Sequence, residues 1–161
     1  PPPFFFSRIS GQPRFGSDWS SDVCSSDLLA KSNEESLATL DCACVDLFTG
    51  RCAFYKAGAP RSYVLRHGRL TRCELASMPA GILRGITFAK RTAVLGAGDT
   101  VVLLSDGITD ADAVGLEALL CRFQSQDQQE LADTVLAYAK AHTPADRRDD
   151  MSVIVARLLP N

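Results

Sequence analysis

The stretch VVLLSDG, residues 101–107, constrains this chain more than any other. Four apolar residues run without a polar interruption into Ser105, Asp106 and Gly107. A strand that is apolar at every position is buried on both faces, so each face needs cover. With 161 residues and 46% hydrophobic content, the chain is long enough for one globular domain with its own core.

Strand and turn signals surround that run. TLDCACVDL, the turn FTGR and RCAFYKA predict one hairpin; SYVLR and LTRCEL predict a second, closed at His67-Gly68. His67 is thus read as a turn residue rather than a ligand. MPAGILRG predicts a loop, TFAKRTAVL a strand, and GAGD a tight turn leading into VVLLS. VGLEALLCRF predicts a short helix. A longer one starts at Asp127, with Glu130 three residues on as in a capping box. Leu131, Val135, Leu136 and Ala139 form its apolar stripe, and His142 falls in its last turn. MSVIVARLL predicts the final strand. Hairpins, a buried strand, two helices and a last strand fit either a helix-covered β-sandwich or an α+β sheet.

Seventeen basic against nineteen acidic side chains leave a net charge of −2. That gives no field for nucleic acid or an anionic membrane, and no apolar run has the length of a spanning helix. PPPFFFSRISGQ lacks the pattern of a secretory signal. Six cysteines are present. Cys42, Cys44, Cys52, Cys73 and Cys121 lie among apolar residues without C-x-x-C or paired-histidine spacing, so buried thiols in a reducing compartment are expected, not disulfides or zinc. Cys42 and Cys44 alternate along one strand and share a face.

Two acidic points could carry chemistry. Asp106 ends the buried strand, and Asp149-Asp150 immediately precedes the last one. If those strands are neighbours, the carboxylates converge, and converging carboxylates repel unless a cation lies between them. All-oxygen ligation suits Mg²⁺ or Mn²⁺. The plainer alternative is a turn after one strand and a solvated loop before the other.

EESLATLDCACVDLFTGRCAFYKAGAPRSYVLRHG, SMPAGIL, AGDTVVLLSDGITDA, DQQELAD and DDMSVIVAR follow one another in this order. From about Leu29 to about Leu158 the ordered set resembles the stage II sporulation protein E family, whose C-terminal domain is a bacterial metal-dependent serine phosphatase of the type 2C class. The resemblance implies an α+β fold, an α-β-β-α sandwich with metals at one end of the paired sheets. It implies Asp106 and Asp149 as catalytic metal ligands, with Asp150 the alternative to Asp149, and two Mn²⁺ or Mg²⁺ ions activating a water. Gly107 would let the backbone turn closely at the metal. The implied substrate is a phosphoserine protein, an anti-sigma-factor antagonist, with sporulation sigma-factor activation as output. The implied setting is cytoplasmic, without membrane or nucleic-acid contact by this segment, in a membrane-anchored parent that admits a homo-oligomer.

The family's centre also needs an aspartate from an upstream Asp-Gly motif. Asp18, Asp22 and Asp27 are followed by Trp, Val and Leu, so none supplies it. DWSSDVCSSDL, residues 18–28, instead resembles a translated short-read sequencing adapter. Residues 1–28 are therefore expected to be artefactual and excluded from fold reasoning, with 29–161 the C-terminal part of a phosphatase domain, truncated at its N-terminus and inactive as it stands. The alternative is a non-catalytic binding or regulatory module on the same fold.

Overall fold

The computed structural model describes residues 39–79, 88–147 and 149–160. The polar stretch 18–28 and most of MPAGILRG lie outside them. The described chain forms two compact units, residues up to 59 with 75–94, and residues 60–74 with 95 onward.

The first unit is an antiparallel sheet of β1 (Leu40–Val45), β2 (Arg51–Ala57) and β5 (Ala89–Val94), in the order β1-β2-β5. The hairpin forms where the sequence places it. Asp46 Oδ1 accepts from the Phe48 amide at 2.9 Å, Asp46 Oδ2 accepts from the Thr49 hydroxyl at 2.6 Å, and Gly50 takes φ 69°. Asp41, Ala43, Cys52, Phe54 and Lys56 share one face by strand parity, and all are buried. Two of them are charged. Asp41 lies directly opposite Lys56 across β1–β2, and the Lys56 ammonium donates to Asp41 Oδ2 at 2.7 Å. Beyond β2, Gly58 takes φ +61° and its amide donates to Ser77 Oγ at 3.1 Å. A Cβ there would stand 2.6–2.8 Å from Pro79, so KAGAP and the start of SMPAGIL meet at a point only glycine fits.

The second unit carries β3 (Ser62–Arg66), β4 (Arg69–Cys73), β6 (Thr100–Leu104) and β7 (Val153–Arg157), antiparallel in the order β4-β3-β6-β7. Its helices are α1 (Asp106–Thr109), α2 (Ala113–Arg122) and α3 (Gln128–His142). Every residue of β6 is buried, Val101–Leu104 as their unbroken apolar run requires. Val102 and Leu104 pack with Tyr63, Ile108, Leu116, Leu120, Leu131, Val135 and Ala139 in one core. The expected stripe of α3 supplies three of these residues, and Leu136 packs at the margin. Asp127 caps α3 by accepting from the Gln129 and Glu130 amides. The reciprocal half of a capping box is replaced, because the Asp127 amide donates to Ser125 Oγ at 3.2 Å.

His67 closes the β3–β4 turn with φ 48°, a turn residue as read. The GAGD turn is fixed by Asp99, whose carboxylate accepts from the Gly96 amide at 2.8 Å and from the Arg66 guanidinium, including Nε at 2.9 Å. Burial pushes the Asp99 carboxyl up, but the bonds from Arg66 and Gly96 outweigh it and hold the group below its ordinary 3.8. A lowered folded-state pKa means stability that is present above 3.8 and lost as pH falls through the depressed value. Melting temperature followed from pH 5 to pH 2 should therefore drop less steeply in Asp99→Asn than in the parent chain, and the variant should be the less stable at pH 7. Parallel curves would show that Asp99 does not control the acid limb.

A candidate metal centre at the ends of two strands

β6 and β7 are neighbours, in register from Thr100↔Arg157 to Leu104↔Val153. The condition for convergence is thereby met at the backbone. Asp106 leaves β6 at the same end at which Asp149 and Asp150 approach β7.

Ser105 ties the two segments. Its hydroxyl donates to the Asp150 carbonyl at 2.9 Å and accepts from the Ser152 amide at 2.9 Å, and its own amide donates to the Ser152 carbonyl at 3.0 Å. This residue was not singled out by sequence reasoning. The signal was present, since a hydroxyl at the last position of an apolar strand is placed to bridge to its neighbour.

Asp106 and Gly107 start α1, a single helical turn entered from an extended Ser105, where the plainer alternative had a turn. Gly107 lies against the Asp149–Asp150 peptide. A Cβ there would be 2.8 Å from the Asp150 carbonyl oxygen and 3.2 Å from the Asp149 carbonyl. Backbone on one side and helix on the other leave no flexible group to yield. Gly107→Ala should therefore push the two segments apart at a cost of about 1–3 kcal/mol, read as a lower urea midpoint at unchanged slope. An unchanged midpoint would mean that the Asp149–Asp150 segment moves aside freely.

The carboxylates are exposed and preset by short-range contacts. Asp106 Oδ1 accepts from the Gly107 amide at 2.9 Å, and Asp149 Oδ1 accepts from the Asp150 amide at 2.8 Å. Such a donor set is all oxygen, which fits a hard dication and excludes a soft one. The glycine cradle that lets both backbones approach supports the same reading. Among the described residues, however, no three His, Cys, Asp or Glu side chains gather as a complete metal cluster.

Among the described residues, Cys42, Cys44, Cys52, Cys73 and Cys121 form no disulfide; Cys52 and Cys73 are buried as expected, whereas Cys42, Cys44 and Cys121 are only partly buried. No helix among the described residues is long and apolar enough to cross a membrane.

Comparison with known proteins agrees with this layout. The family model for stage II sporulation protein E matches residues 24–159. Stage II sporulation protein E of Bacillus subtilis (strain 168) is 26% identical over 137 residues, 81% of this chain and 17% of that protein. The Priestia megaterium protein is likewise 26% identical, over 83% of this chain and 24% of its own length. The chain thus spans less than a quarter of the curated relatives it matches. Among solved structures, the manganese-presoaked phosphatase domain of the Bacillus subtilis cell fate determinant SpoIIE superposes with a TM-score of 0.69 at 26% identity, covering 88% of this chain and 65% of that one. A Mycobacterium tuberculosis serine/threonine phosphatase gives 0.69 at 20% identity, over 87% and 68%. The α+β fold class, with helices and two antiparallel sheets, is that of the metal-dependent phosphatase domains.

Proposed function

We propose, on the premise that this chain belongs to the stage II sporulation protein E family, that it carries the C-terminal part of a metal-dependent protein serine phosphatase domain. The observation that carries the reading is the junction of Ser105, Asp106 and Gly107 with Asp149-Asp150. Asp106 and Asp149 would hold Mn²⁺ or Mg²⁺, with Asp150 as the alternative to Asp149. Bound there, the ions would lower the pKa of a water for attack on phosphorus and neutralise the phosphate.

The chain's own residues set the geometry. Ser105 fixes the separation of the two strand ends through hydrogen bonds to both. The Gly107 and Asp150 amides orient the carboxylates by occupying one oxygen of each. Strand ends of a packed sheet hold such groups more firmly than a loop would. The substrate would be a phosphorylated anti-sigma-factor antagonist, reached in the cytoplasm, with further ligands supplied from upstream in the parent protein.

The partial ligand shell favours a second reading, a non-catalytic module on the phosphatase fold. Manganese-dependent hydrolysis of p-nitrophenyl phosphate by the parent's whole phosphatase domain separates the two. Turnover that needs manganese is expected; none at any manganese concentration would leave the module reading standing.

A further inference from the structure

At the end of the β4-β3-β6-β7 sheet remote from Asp106, the second unit holds a cavity of about 250 Å³. It lies where β6 begins and β7 ends, at the paired residues Thr100 and Arg157. The register runs from that pair to Leu104↔Val153, so the length of the strands, roughly 14 Å, separates the cavity from the candidate centre.

Strand parity makes Arg157 the residue to explain. Val153, Val155 and Arg157 fall on one face of β7, and both valines pack against the core of this unit. The phase calls for an apolar side chain and instead holds a half-buried guanidinium that lines the cavity. A Cβ built at Gly98 would stand 3.6 Å from Arg157 Nη2, which places the guanidinium beside the GAGD turn. Among the described residues Arg157 forms no ion pair, whereas Arg61, Arg66 and Arg72 each do. An arginine is always charged, and a charge taken partly out of water is costly until an anion meets it.

We propose that this cavity binds a small monocarboxylate with a compact apolar body, its carboxylate on Arg157 and its body against Leu120, Phe123 and Leu131. The wall suits such a body. Leu120 and Leu131 belong to the core, and Phe123 lies partly buried at its margin. The α2–α3 connection, from Gln124 to Gln128, gives the rim polar groups that can orient a ligand. The planar fork of a guanidinium matches a carboxylate through two parallel hydrogen bonds.

Size and charge narrow the class. A cavity of about 150 Å³ admits benzene, so by proportion this one takes a ligand of roughly ten heavy atoms. A nucleotide is far larger, and benzoate is about the right size. Asp127 is the acidic residue of the lining, and its carboxylate already accepts from the Gln129 and Glu130 amides at 2.8 and 3.3 Å. A ligand with a second negative charge would meet that carboxylate unpaired, which disfavours a phosphate dianion against a monocarboxylate.

The test titrates the full chain, labelled with ¹⁵N, with benzoate and follows its amide resonances. Saturable shifts are expected at Leu65, Thr100, Leu120 and Val155, and none in β1, β2 or β5, with a Kd of about 1 mM or tighter. Benzamide, the same ring without the charge, should bind at least 10-fold more weakly. Inorganic phosphate, a charge without the apolar body, should give no saturable shift at these residues. Arg157→Gln should weaken benzoate at least 10-fold, and Arg122→Gln, which removes an equal charge from an exposed position outside the lining, should leave the Kd unchanged. The amide spectrum of each variant reports its fold, and the benzamide comparison needs no variant, so the charge requirement is tested even where Arg157→Gln does not fold. No saturable shift with benzoate, equal binding of benzamide or phosphate, or unchanged affinity in folded Arg157→Gln overturns the proposal.

Discussion

Asp106→Asn should abolish manganese-dependent hydrolysis of p-nitrophenyl phosphate by the parent's phosphatase domain, lowering kcat/KM by about 10³-fold or more. Asparagine is the informative substitution because it keeps the side chain's shape. Its carbonyl oxygen can still accept from the Gly107 amide, as Asp106 Oδ1 does at 2.9 Å, so the entry to α1 stays built. What is lost is the charge and the second anionic oxygen, the properties a hard dication needs. A thousandfold fall corresponds to about 4 kcal/mol of transition-state stabilisation, within the several kcal/mol that a bound metal supplies.

The same substitution resolves the choice at the other strand. Asp149→Asn keeps the bond from the Asp150 amide and should cost as much as Asp106→Asn. Asp150→Asn should cost far less. Asp110→Asn, an exposed aspartate just past α1, serves as the control and should leave activity unchanged. Full activity in Asp106→Asn would remove Asp106 from the centre.

Local pattern made much of the fold legible. The two hairpins announce themselves through turn residues flanked by alternating strands, and β6 through four apolar residues in a row. The stripe of α3 matches its buried face at Leu131, Val135 and Ala139. What local pattern does not encode is which strands pair across long separations. That β3 lies beside β6 and β6 beside β7, while β5 joins β2 in the other sheet, depends on contacts distant in sequence. The approach of the Asp106 and Asp149 segments depends on the same pairing, so the residues alone made it conditional. The resemblance supplied the expectation, and the β6–β7 register supplies its geometry. The role of Ser105 needed the structure, because a hydroxyl reveals its partners only when the neighbouring strand is present. The motif stretch from Ala80 to Leu83 and the polar segment 18–28 lie outside the described residues.

The buried pair in the other sheet could have been found by parity. Lys56 falls two residues after Phe54 and four after Cys52, so a strand that buries those buries it as well. A lysine in that phase requires an anion on the facing strand, and Asp41 is the residue in register. The consequence is a large expected effect on stability. Lys56→Met removes the ammonium but keeps most of the volume, and it leaves Asp41 buried without its 2.7 Å partner. Breaking such a pair from one side costs about 3–5 kcal/mol. That is a large share of the roughly 5–15 kcal/mol that holds an ordinary domain together. Replacing both charges, as in Asp41→Leu with Lys56→Met, removes the stranded carboxylate and should recover most of the loss, because a well-packed apolar pair is about neutral against a buried ion pair. A double-mutant cycle read by urea denaturation checks this, and the two substitutions should be strongly non-additive. Additive losses would mean that Asp41 and Lys56 are each stabilised by other neighbours. Lys56 also opens the KAGAP stretch that carried part of the family resemblance. The pair explains a lysine at the head of that stretch in physical terms: it closes the β1–β2 register just before Gly58 turns the chain against Ser77 and Pro79.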